Sequence, residues 1–155
     1  MKIQHLSARQ FISIEKDNII DILKTTKEFC IKNSLDMPDF YSDSIVLFVK
    51  HNNKVIGFLQ FYPYNKYKEF YISWLMIDKD FRGHKIFNKI FKILKSFAIK
   101  NNINAITLYC LKNNLIANTI YKKKGFIVKD SEAVSLSLND RQLFTGYTYF
   151  IRSNN

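Results

Sequence analysis

Glycine is scarce in this sequence: Gly57, Gly83, Gly125 and Gly146 are the four glycines among its 155 residues. A dinucleotide-binding fingerprint needs three glycines within six residues, and a P-loop needs two closely spaced glycines before a Lys-Ser or Lys-Thr pair. The four glycines lie too far apart to form either motif. The common nucleotide-binding motifs are therefore excluded.

Cysteine and histidine are also few and scattered. Cys30 and Cys110 lie far apart in the chain, without metal-ligand or redox spacing, and His5, His51 and His84 form no cluster with them. This pattern favours two small buried hydrophobic residues over a zinc site. We therefore expect no metal.

Long apolar runs are missing as well. The longest, residues 45–49 and 74–77, are far shorter than the ~20 residues of a membrane span. Residues 1–5 lack the apolar core of a signal peptide. We expect a cytoplasmic protein with no membrane partner. A length of 155 residues that are 47% hydrophobic fits a single domain, residues 1–155, with one core.

Positive charge is in excess, with 24 Lys and Arg against 13 Asp and Glu and a formal net charge of +11. Such a charge suits nucleic acid, an acidic protein or a phosphorylated small molecule. Solvated lysines in a chain rich in Lys, Asn and Ile explain it equally well. Charge alone therefore leaves the partner open.

Apolar periodicity divides the chain into strands and helices in an order typical of an α+β fold, with helices packed on a mixed sheet. The predicted strands are residues 2–6, 44–50, 54–62, 70–77, 105–110, 126–138 and 142–151. Three helices are predicted: one that begins at Asp17, one over residues 83–101 and one over residues 114–124. Residues 33–43 are predicted to form a loop.

Local signals set several of these boundaries. Asn52 and Asn53 suit a two-residue hairpin turn because asparagine tolerates positive φ. Pro63 is expected to close the strand before it, and Gly125 to follow the end of a helix. The nearly continuous apolar run over residues 70–77 predicts a strand that is buried on both faces.

The first of two segments with a functional signal runs from Trp74 to Phe87. A buried strand leads into a short turn and then into a helix start, where free backbone N–H groups bind anions. Gly83 permits close backbone approach to a pyrophosphate, and Arg82 and Lys85 add positive charge. The segment therefore predicts a site for a pyrophosphate group.

The second segment contains Asn114, Ala117, Tyr121, Gly125 and Phe126. The spacing from Ala117 to Tyr121 to Gly125 is about one helical turn each time, so the three share one face of a helix. This arrangement places a phenol near the sheet and Asn114 at the helix start.

Together the two segments resemble the GNAT superfamily of acetyl-CoA-dependent N-acetyltransferases. The cofactor motif of that family, Arg/Gln-x-x-Gly-x-Gly/Ala, falls on the stretch from Arg82 to Phe87. Arg82 fits, and the common extra glycine is present as Gly83. Lys85 stands at the first motif glycine and Phe87 at the Gly/Ala position, while the second segment fits its pattern throughout.

The resemblance implies a mixed, mostly antiparallel sheet flanked by helices on both faces, with acetyl-CoA as co-substrate. In this family the strand before the cofactor turn splays from the next strand, and the pantetheine arm lies in the gap. Tyr121 matches the proton-donor position, so it is expected to protonate the departing CoA thiolate. The expected cofactor contacts are Leu75, Met76, Ile77, Arg82, Gly83, His84, Lys85, Ile86, Phe87, Asn88 and Asn114.

The pattern does not identify a general base. Some family members carry a glutamate five residues before the motif asparagine, where this chain has Tyr109, a poor base near neutral pH. Glu69, Glu28, Asp36 or a chain of waters remain as alternatives.

The expected reaction is transfer of an acetyl group from acetyl-CoA to a primary amine of a small molecule or protein, by a monomer or homodimer. The loops at residues 33–43 and 63–68 are expected to form the acceptor side of the site. Two alternatives stay open. Lys85 and the missing base favour a non-catalytic acyl-CoA-binding protein, and the net charge alone favours an acetyltransferase directed to RNA or the ribosome.

Overall fold

The computed structural model describes residues 2–7, 24, 27–36, 43–52 and 54–151, with only the backbone described for residues 2–7. Its strands are β1 (Lys2–Ser7), β2 (Ile45–His51), β3 (Lys54–Tyr64), β4 (Glu69–Ile77), β5 (Ala105–Leu111), β6 (Ile127–Val128) and β7 (Phe144–Phe150). Its helices are α1 (Ile86–Lys100), α2 (Leu115–Lys123) and α3 (Leu138–Leu143), with 3₁₀ turns at Asn65–Tyr67 and Lys79–Phe81. Residues 27–32 are also helical.

The strands form one sheet in the order β1-β2-β3-β4-β5-β7-β6. Pairing is antiparallel between β1 and β2, β2 and β3, β5 and β7, and β6 and β7, and it is parallel between β4 and β5. A parallel pair needs a crossover connection, which α1 provides. The predicted α+β class and the mixed, mostly antiparallel sheet are therefore confirmed.

The described chain divides into two compact units, of which the first comprises Met1–Phe61 and Trp74–Ile93. Its core joins the helical segment at residues 27–32 to β2 and β3, and Phe29 meets Phe58 edge to face with ring centroids 5.7 Å apart. The buried members of this cluster are Phe29, Cys30, Val46, Phe48, Val55 and Phe58.

The second unit comprises Tyr62–Ser73 and Leu94–Asn155. Its core is rich in rings and aliphatic side chains from β4, β5, α2 and β7, and it includes Phe70, Ile106, Leu108, Tyr121, Phe126 and Tyr147. The prediction of a single domain over residues 1–155 stays a prediction.

Most predicted elements are present with shifts of a few residues. Asn52 has the expected positive φ, 48°, in the β2–β3 hairpin. Helix α1 begins at Ile86 rather than at residue 83, because Gly83 and Lys85 have φ of 81° and 57° and so cannot belong to a right-handed helix. The helix predicted from Asp17 lies largely outside the described residues, as do residues 37–42 of the predicted loop.

Strand β3 does not close before Pro63 but continues to Tyr64. The register between β2 and β3 reaches its last pair at Ile45 and Phe61. Pro63 lies beyond that pair, so β2 needs no N–H group from it, and proline is tolerated there.

The strand predicted over residues 126–138 is wrong. Only Ile127–Val128 form a strand, and helix α3 occupies Leu138–Leu143, so β7 begins at Phe144 rather than at residue 142. Ser137 Oγ accepts a hydrogen bond from the Asp140 amide at 3.1 Å, which caps α3. The Ser-x-x-Asp spacing is a capping signal that the strand prediction overlooked.

Candidate functional site

The carboxyl-terminal half of β4, in the first unit, carries the first predicted contacts. Leu75, Met76 and Ile77 are half-buried, whereas Phe70 and Ile72 earlier in the strand are buried. The prediction of burial on both faces therefore fails for the second half of the strand, and in the first half Tyr71, on the face opposite Phe70 and Ile72, is also half-buried. In the sheet order of the described strands, β4 is the fourth of seven.

Strand β3 approaches this half of β4 closely at Gly57. A Cβ atom at Gly57 would lie 2.9 Å from the carbonyl oxygen of Met76 and 3.6 Å from Cα of Ile77. No larger residue fits there without moving the Met76 backbone. A glycine inside a predicted strand often indicates that another backbone approaches closely. Gly57 lies in such a strand, but its contact with β4 was not predicted.

The turn after β4 is organised by side chains that bind its own backbone. Asp78 Oδ1 accepts from the Asp80 amide at 3.0 Å and caps the 3₁₀ turn Lys79–Phe81. Arg82 Nε donates to the carbonyl of Ile77 at 3.2 Å. These contacts fix the path of the chain from the end of β4 to Arg82.

His84 lies in the same turn, with Nδ1 3.2 Å from the carbonyl of Phe81 and 3.0 Å from that of Arg82. Both neighbours are acceptors, so Nδ1 carries the proton. The imidazole therefore ties the turn together through its backbone.

Left-handed residues bring the turn into α1. Gly83 has φ of 81°, and a Cβ atom there would meet nothing within 4 Å, so backbone conformation rather than crowding favours glycine. Lys85 adopts φ of 57° at the position where the family motif has glycine. Helix α1 follows with Ile86 and Phe87 buried and Asn88 exposed, and its first N–H groups have no partner within the helix.

A two-residue clasp joins the helical segment at residues 27–32 to the turn. Lys32 Nζ lies 2.7 Å from Oδ2 of Asp78 and 2.7 Å from Oδ2 of Asp80. Asn33 Oδ1 accepts from the Lys79 amide at 3.0 Å. No sequence signal predicted this clasp, because its partners are 46 residues apart.

The clasp sets the charge state of Asp78. Burial alone would raise the pKa of its carboxyl, but hydrogen bonds from Lys32 and the Asp80 amide outweigh burial and hold that pKa below its ordinary value. The same hydrogen bonds to Asp78 and Asp80 raise the pKa of Lys32. Both groups are therefore charged at neutral pH.

A pocket of about 540 Å³ opens beside the clasp. Lys32, His51 and Asp78 line it together with Glu28, one of the base alternatives. The volume is in the range of small-molecule sites. Asp36, another base alternative, is exposed.

The second predicted segment lies in the second unit and forms α2 as expected. Asn114 Oδ1 accepts from the Ala117 amide at 3.2 Å and caps the helix, and Gly125 follows the helix end with φ of 92°. Asn114 is itself exposed. Capping is compatible with the predicted cofactor contact.

Tyr121 lies on the inner face of α2 and is 9% exposed. Its ring centroid lies 5.6 Å from that of Phe126 and 5.7 Å from that of Tyr147. Burial, with smaller effects of Cys110 and Tyr147, raises the pKa of the Tyr121 phenol well above its ordinary value. The hydroxyl is thus protonated at any physiological pH, as a proton donor must be before it acts.

Asn118 was not predicted to have a role, yet it connects three elements. Its Nδ2 donates to the carbonyls of Leu111 at 2.9 Å and Asn114 at 2.7 Å. Its Oδ1 accepts from the hydroxyl of Tyr147 at 2.7 Å. An asparagine in the middle of a helix, where it is a weak helix former, was the available signal.

Glu69, the third carboxylate among the base alternatives, holds a loop in place. Its carboxylate is buried and accepts hydrogen bonds from the Thr107 hydroxyl at 2.6 Å, the Ser131 hydroxyl and the Glu132 amide at 3.1 Å. Tyr109 donates to the carbonyl of Val134 at 3.0 Å. Burial, followed by the charge of Asp130, raises the pKa of Tyr109, so even less of its phenol is ionised near neutral pH than in an ordinary tyrosine.

Two further findings concern only the described part of the chain. Among residues 24, 27–36, 43–52 and 54–151, no three His, Cys, Asp or Glu side chains are grouped so that they could hold a metal ion. Within the same residues, the helices are too short or too polar to cross a membrane.

Comparison with known proteins places the chain in a family. The sequence model of the acetyltransferase (GNAT) family matches residues 15–126. The chain therefore belongs to the GNAT family of acetyltransferases, as the two segments predicted. None of the curated proteins compared with the chain matches it.

Solved structures share the fold along the whole chain. Tetrahymena GCN5 superposes with a TM-score of 0.73 at 16% identity, covering 98% of this chain and 97% of that one. Aminoglycoside 6'-N-acetyltransferase complexed with coenzyme A gives 0.69 at 11% identity, with coverages of 100% and 99%. A GNAT-family acetyltransferase from Staphylococcus aureus Mu50 gives 0.66 at 12% identity, with coverages of 97% and 100%.

At these identities the structural likeness shows the fold alone. Enzymes of the GNAT family use acetyl-CoA as co-substrate, and family membership supports an acyltransferase. The individual site residues and the acceptor stay predictions.

Proposed function

We propose that this protein transfers the acetyl group of acetyl-CoA to a primary amine of a small molecule or a protein. The observation that carries the proposal is the organised turn between the accessible half of β4 and α1. Gly83 and Lys85 adopt left-handed conformations just before the first N–H groups of α1, which have no partner within the helix, and this is the form of a pyrophosphate site. Arg82 adds a positive charge.

In this proposal the cofactor contacts β4, the turn after it and the start of α2. Main-chain groups of Leu75, Met76 and Ile77 pair with the pantetheine arm. The turn from Arg82 to Asn88 holds the pyrophosphate, and Asn114 contributes a further contact from the start of α2.

In the reaction, the neutral amine attacks the carbonyl carbon of the acetyl thioester, and a C–N bond forms. A main-chain N–H of β4 stabilises the oxyanion of the tetrahedral intermediate. When the intermediate collapses, the C–S bond breaks, the thiolate takes a proton from Tyr121, and the amine loses a proton to a base or water. Tyr121 then regains its proton from solvent.

One observation favours a second candidate, a protein that binds acyl-CoA without catalysis. Lys85 places a long side chain where the motif has glycine, and its φ of 57° shows that the backbone there has the conformation that suits glycine. The net charge of +11 remains the only support for an acetyltransferase directed to RNA or the ribosome.

The experiment measures binding and turnover separately. Calorimetry with CoA measures binding at the site. Catalysis is measured as release of free CoA from acetyl-CoA in the presence of a panel of small amines, aminoglycosides and lysine peptides. Mass spectrometry identifies the acetylated product. Gly83→Asp sets bulk and negative charge against the pyrophosphate and should strongly weaken CoA binding. Lys100→Gln, an equal change of net charge at the far end of α1, should not.

The outcomes separate the candidates. CoA binding with amine acetylation supports the proposal. CoA binding without turnover on any amine supports the binding protein, and an undiminished CoA affinity in Gly83→Asp places the cofactor elsewhere.

A further inference from the structure

We propose that Asn118 is a positioning residue that fixes the first turn of α2 at the end of β5 and so holds the Tyr121 phenol in place. This inference rests on the proposed function, in which Tyr121 is the proton donor. Asn118 lies outside the residues that the GNAT pattern marks, so the family motif did not point to it.

The side chain of Asn118 uses both ends of its amide. Nδ2 donates to the carbonyl of Leu111, the last residue of β5, and to that of Asn114, the cap of α2. Oδ1 accepts from the hydroxyl of Tyr147 in β7. One side chain therefore bridges β5, α2 and β7.

The Tyr147 end of this bridge is buried. Tyr147 is 1% exposed, and a buried hydroxyl without a partner is costly, so Asn118 supplies an acceptor that the core requires. The ring of Tyr147 also lies 5.7 Å from that of Tyr121. Tyr147 thus contacts the proposed donor on one side and is anchored by Asn118 on the other.

The helix geometry carries the effect to Tyr121. Residues 118 and 121 are three apart in α2 and so are neighbours on its surface. Loss of the Asn118 contacts weakens the attachment of the first turn of α2 to β5, although the Asn114 amide still donates to the Leu111 carbonyl at 3.0 Å. A small rotation of the weakened turn moves the phenol. Displacing a reacting group by about 1 Å can cost about 10²-fold in rate.

Three variants test the inference. Asn118→Leu keeps a similar volume and removes all three hydrogen bonds, and Tyr147→Phe removes one while keeping the ring. Thr119→Ala is the control, since Thr119 is exposed and its hydroxyl bonds only the Leu115 carbonyl of the same helix. We expect kcat to fall about 10- to 100-fold in Asn118→Leu and less in Tyr147→Phe, with smaller changes in KM for acetyl-CoA. Thr119→Ala should stay close to wild type.

A double-mutant cycle distinguishes positioning from general destabilisation. If Asn118 acts through Tyr121, Asn118→Leu should lower kcat less than about threefold in a Tyr121→Phe background. A full additive loss would overturn the inference.

A readout without substrate keeps the inference separate from the proposed function. In protein labelled with ¹³C at tyrosine Cζ, the Tyr121 signal is the one missing in Tyr121→Phe. It should shift in Asn118→Leu and Tyr147→Phe but not in Thr119→Ala. An unmoved Tyr121 signal in folded Asn118→Leu overturns the inference, whether or not any amine is acetylated.

Discussion

At the scale of single residues, Tyr121 places a buried phenol on α2. Its phenol is buried against Phe126 and Tyr147, and burial raises its pKa, so it keeps its proton until a strong base is formed beside it. A departing thiolate is a weaker base than the Tyr121 phenolate, because the ordinary pKa of a thiol is about 8.5. The raised pKa therefore works against the proposed proton transfer, and the donor role of Tyr121 rests on its position in the motif rather than on its pKa.

Tyr121→Phe keeps the ring and therefore the packing. Loss of a general acid typically lowers the rate 10²–10⁴-fold, roughly 3–5 kcal/mol of barrier. We expect that loss in kcat, with KM for acetyl-CoA little changed, in steady-state kinetics on the folded variant. A kcat within about threefold of wild type would leave Tyr121 with a packing role only.

Lys85 provides a second test at this scale. Its left-handed backbone is expected to lower the stability of the fold, whereas its charge is expected to favour binding of acetyl-CoA. The left-handed conformation costs a non-glycine residue about 1–2 kcal/mol, and the freedom of glycine in the unfolded chain costs roughly 0.5–1 kcal/mol. Lys85→Gly should therefore raise the free energy of unfolding by about 1 kcal/mol or less, measured in urea. Loss of the surface ammonium should weaken acetyl-CoA binding no more than about fivefold.

Lys85→Asn is the matched control. It removes the charge, as Lys85→Gly does, but keeps a side chain that tolerates the left-handed conformation. If Lys85→Gly binds acetyl-CoA much more tightly than wild type, the lysine obstructs the site, and the binding-protein alternative gains support.

At the scale of elements, the clasp of Lys32 and Asn33 on the turn predicts a specific pH dependence. Asp78 has a lowered pKa, so its contribution to stability is present above its ordinary value of 3.8 and is lost as the pH falls through the lowered pKa. Lys32 has a raised pKa, so its contribution is present below 10.5 and is lost as the pH rises through the raised value.

Lys32→Met keeps most of the aliphatic stem and removes the ion pairs. Its free energy of unfolding should be below that of wild type at neutral pH, and the difference should shrink as the pH is lowered below 3.8. Urea unfolding at neutral and acidic pH measures this. Lys27→Met, an exposed lysine of the same helical segment, is the control. A difference that does not change with pH would mean that Lys32 acts by packing.

The elements also show what the sequence could and could not predict. Helix α1 was predictable because two apolar rows repeat at helical spacing and become its buried face, including Ile86, Ile90 and Leu94. The Asn114 cap was predictable because the contact is local and joins residues that are three apart in the sequence.

Long-range polar contacts were not predictable. Val134, Leu136 and Leu138 alternate as in a strand, yet the segment before α3 is irregular because Ser131 bonds Glu69, 62 residues away, and Tyr109 bonds the Val134 carbonyl. Period-2 alternation carries no information about such partners.

At the scale of the whole molecule, the net charge of +11 bears on the donor as well as on any acceptor. Acetyl-CoA is strongly anionic through its phosphates, so a basic protein attracts it over a distance of about one Debye length, about 10 Å at 0.1 M salt and about 3 Å at 1 M. This attraction acts on encounter and binding and not on the chemical step at Tyr121.

Raising the salt concentration from about 0.05 to 0.5 M should therefore raise KM for acetyl-CoA and leave kcat nearly unchanged. Acetyl-pantetheine is the matched donor, since it carries the same thioester and arm without the phosphates, and its KM should depend little on salt. Lys85→Asn should reduce the salt dependence for acetyl-CoA if the ammonium of Lys85 lies against the phosphates.

If the KM values of both donors rise together, salt acts on the protein or the acceptor instead, and the basic charge has no role in donor binding. A salt dependence confined to an RNA acceptor would then favour the RNA-directed alternative, because phosphate contacts to RNA weaken steeply with salt.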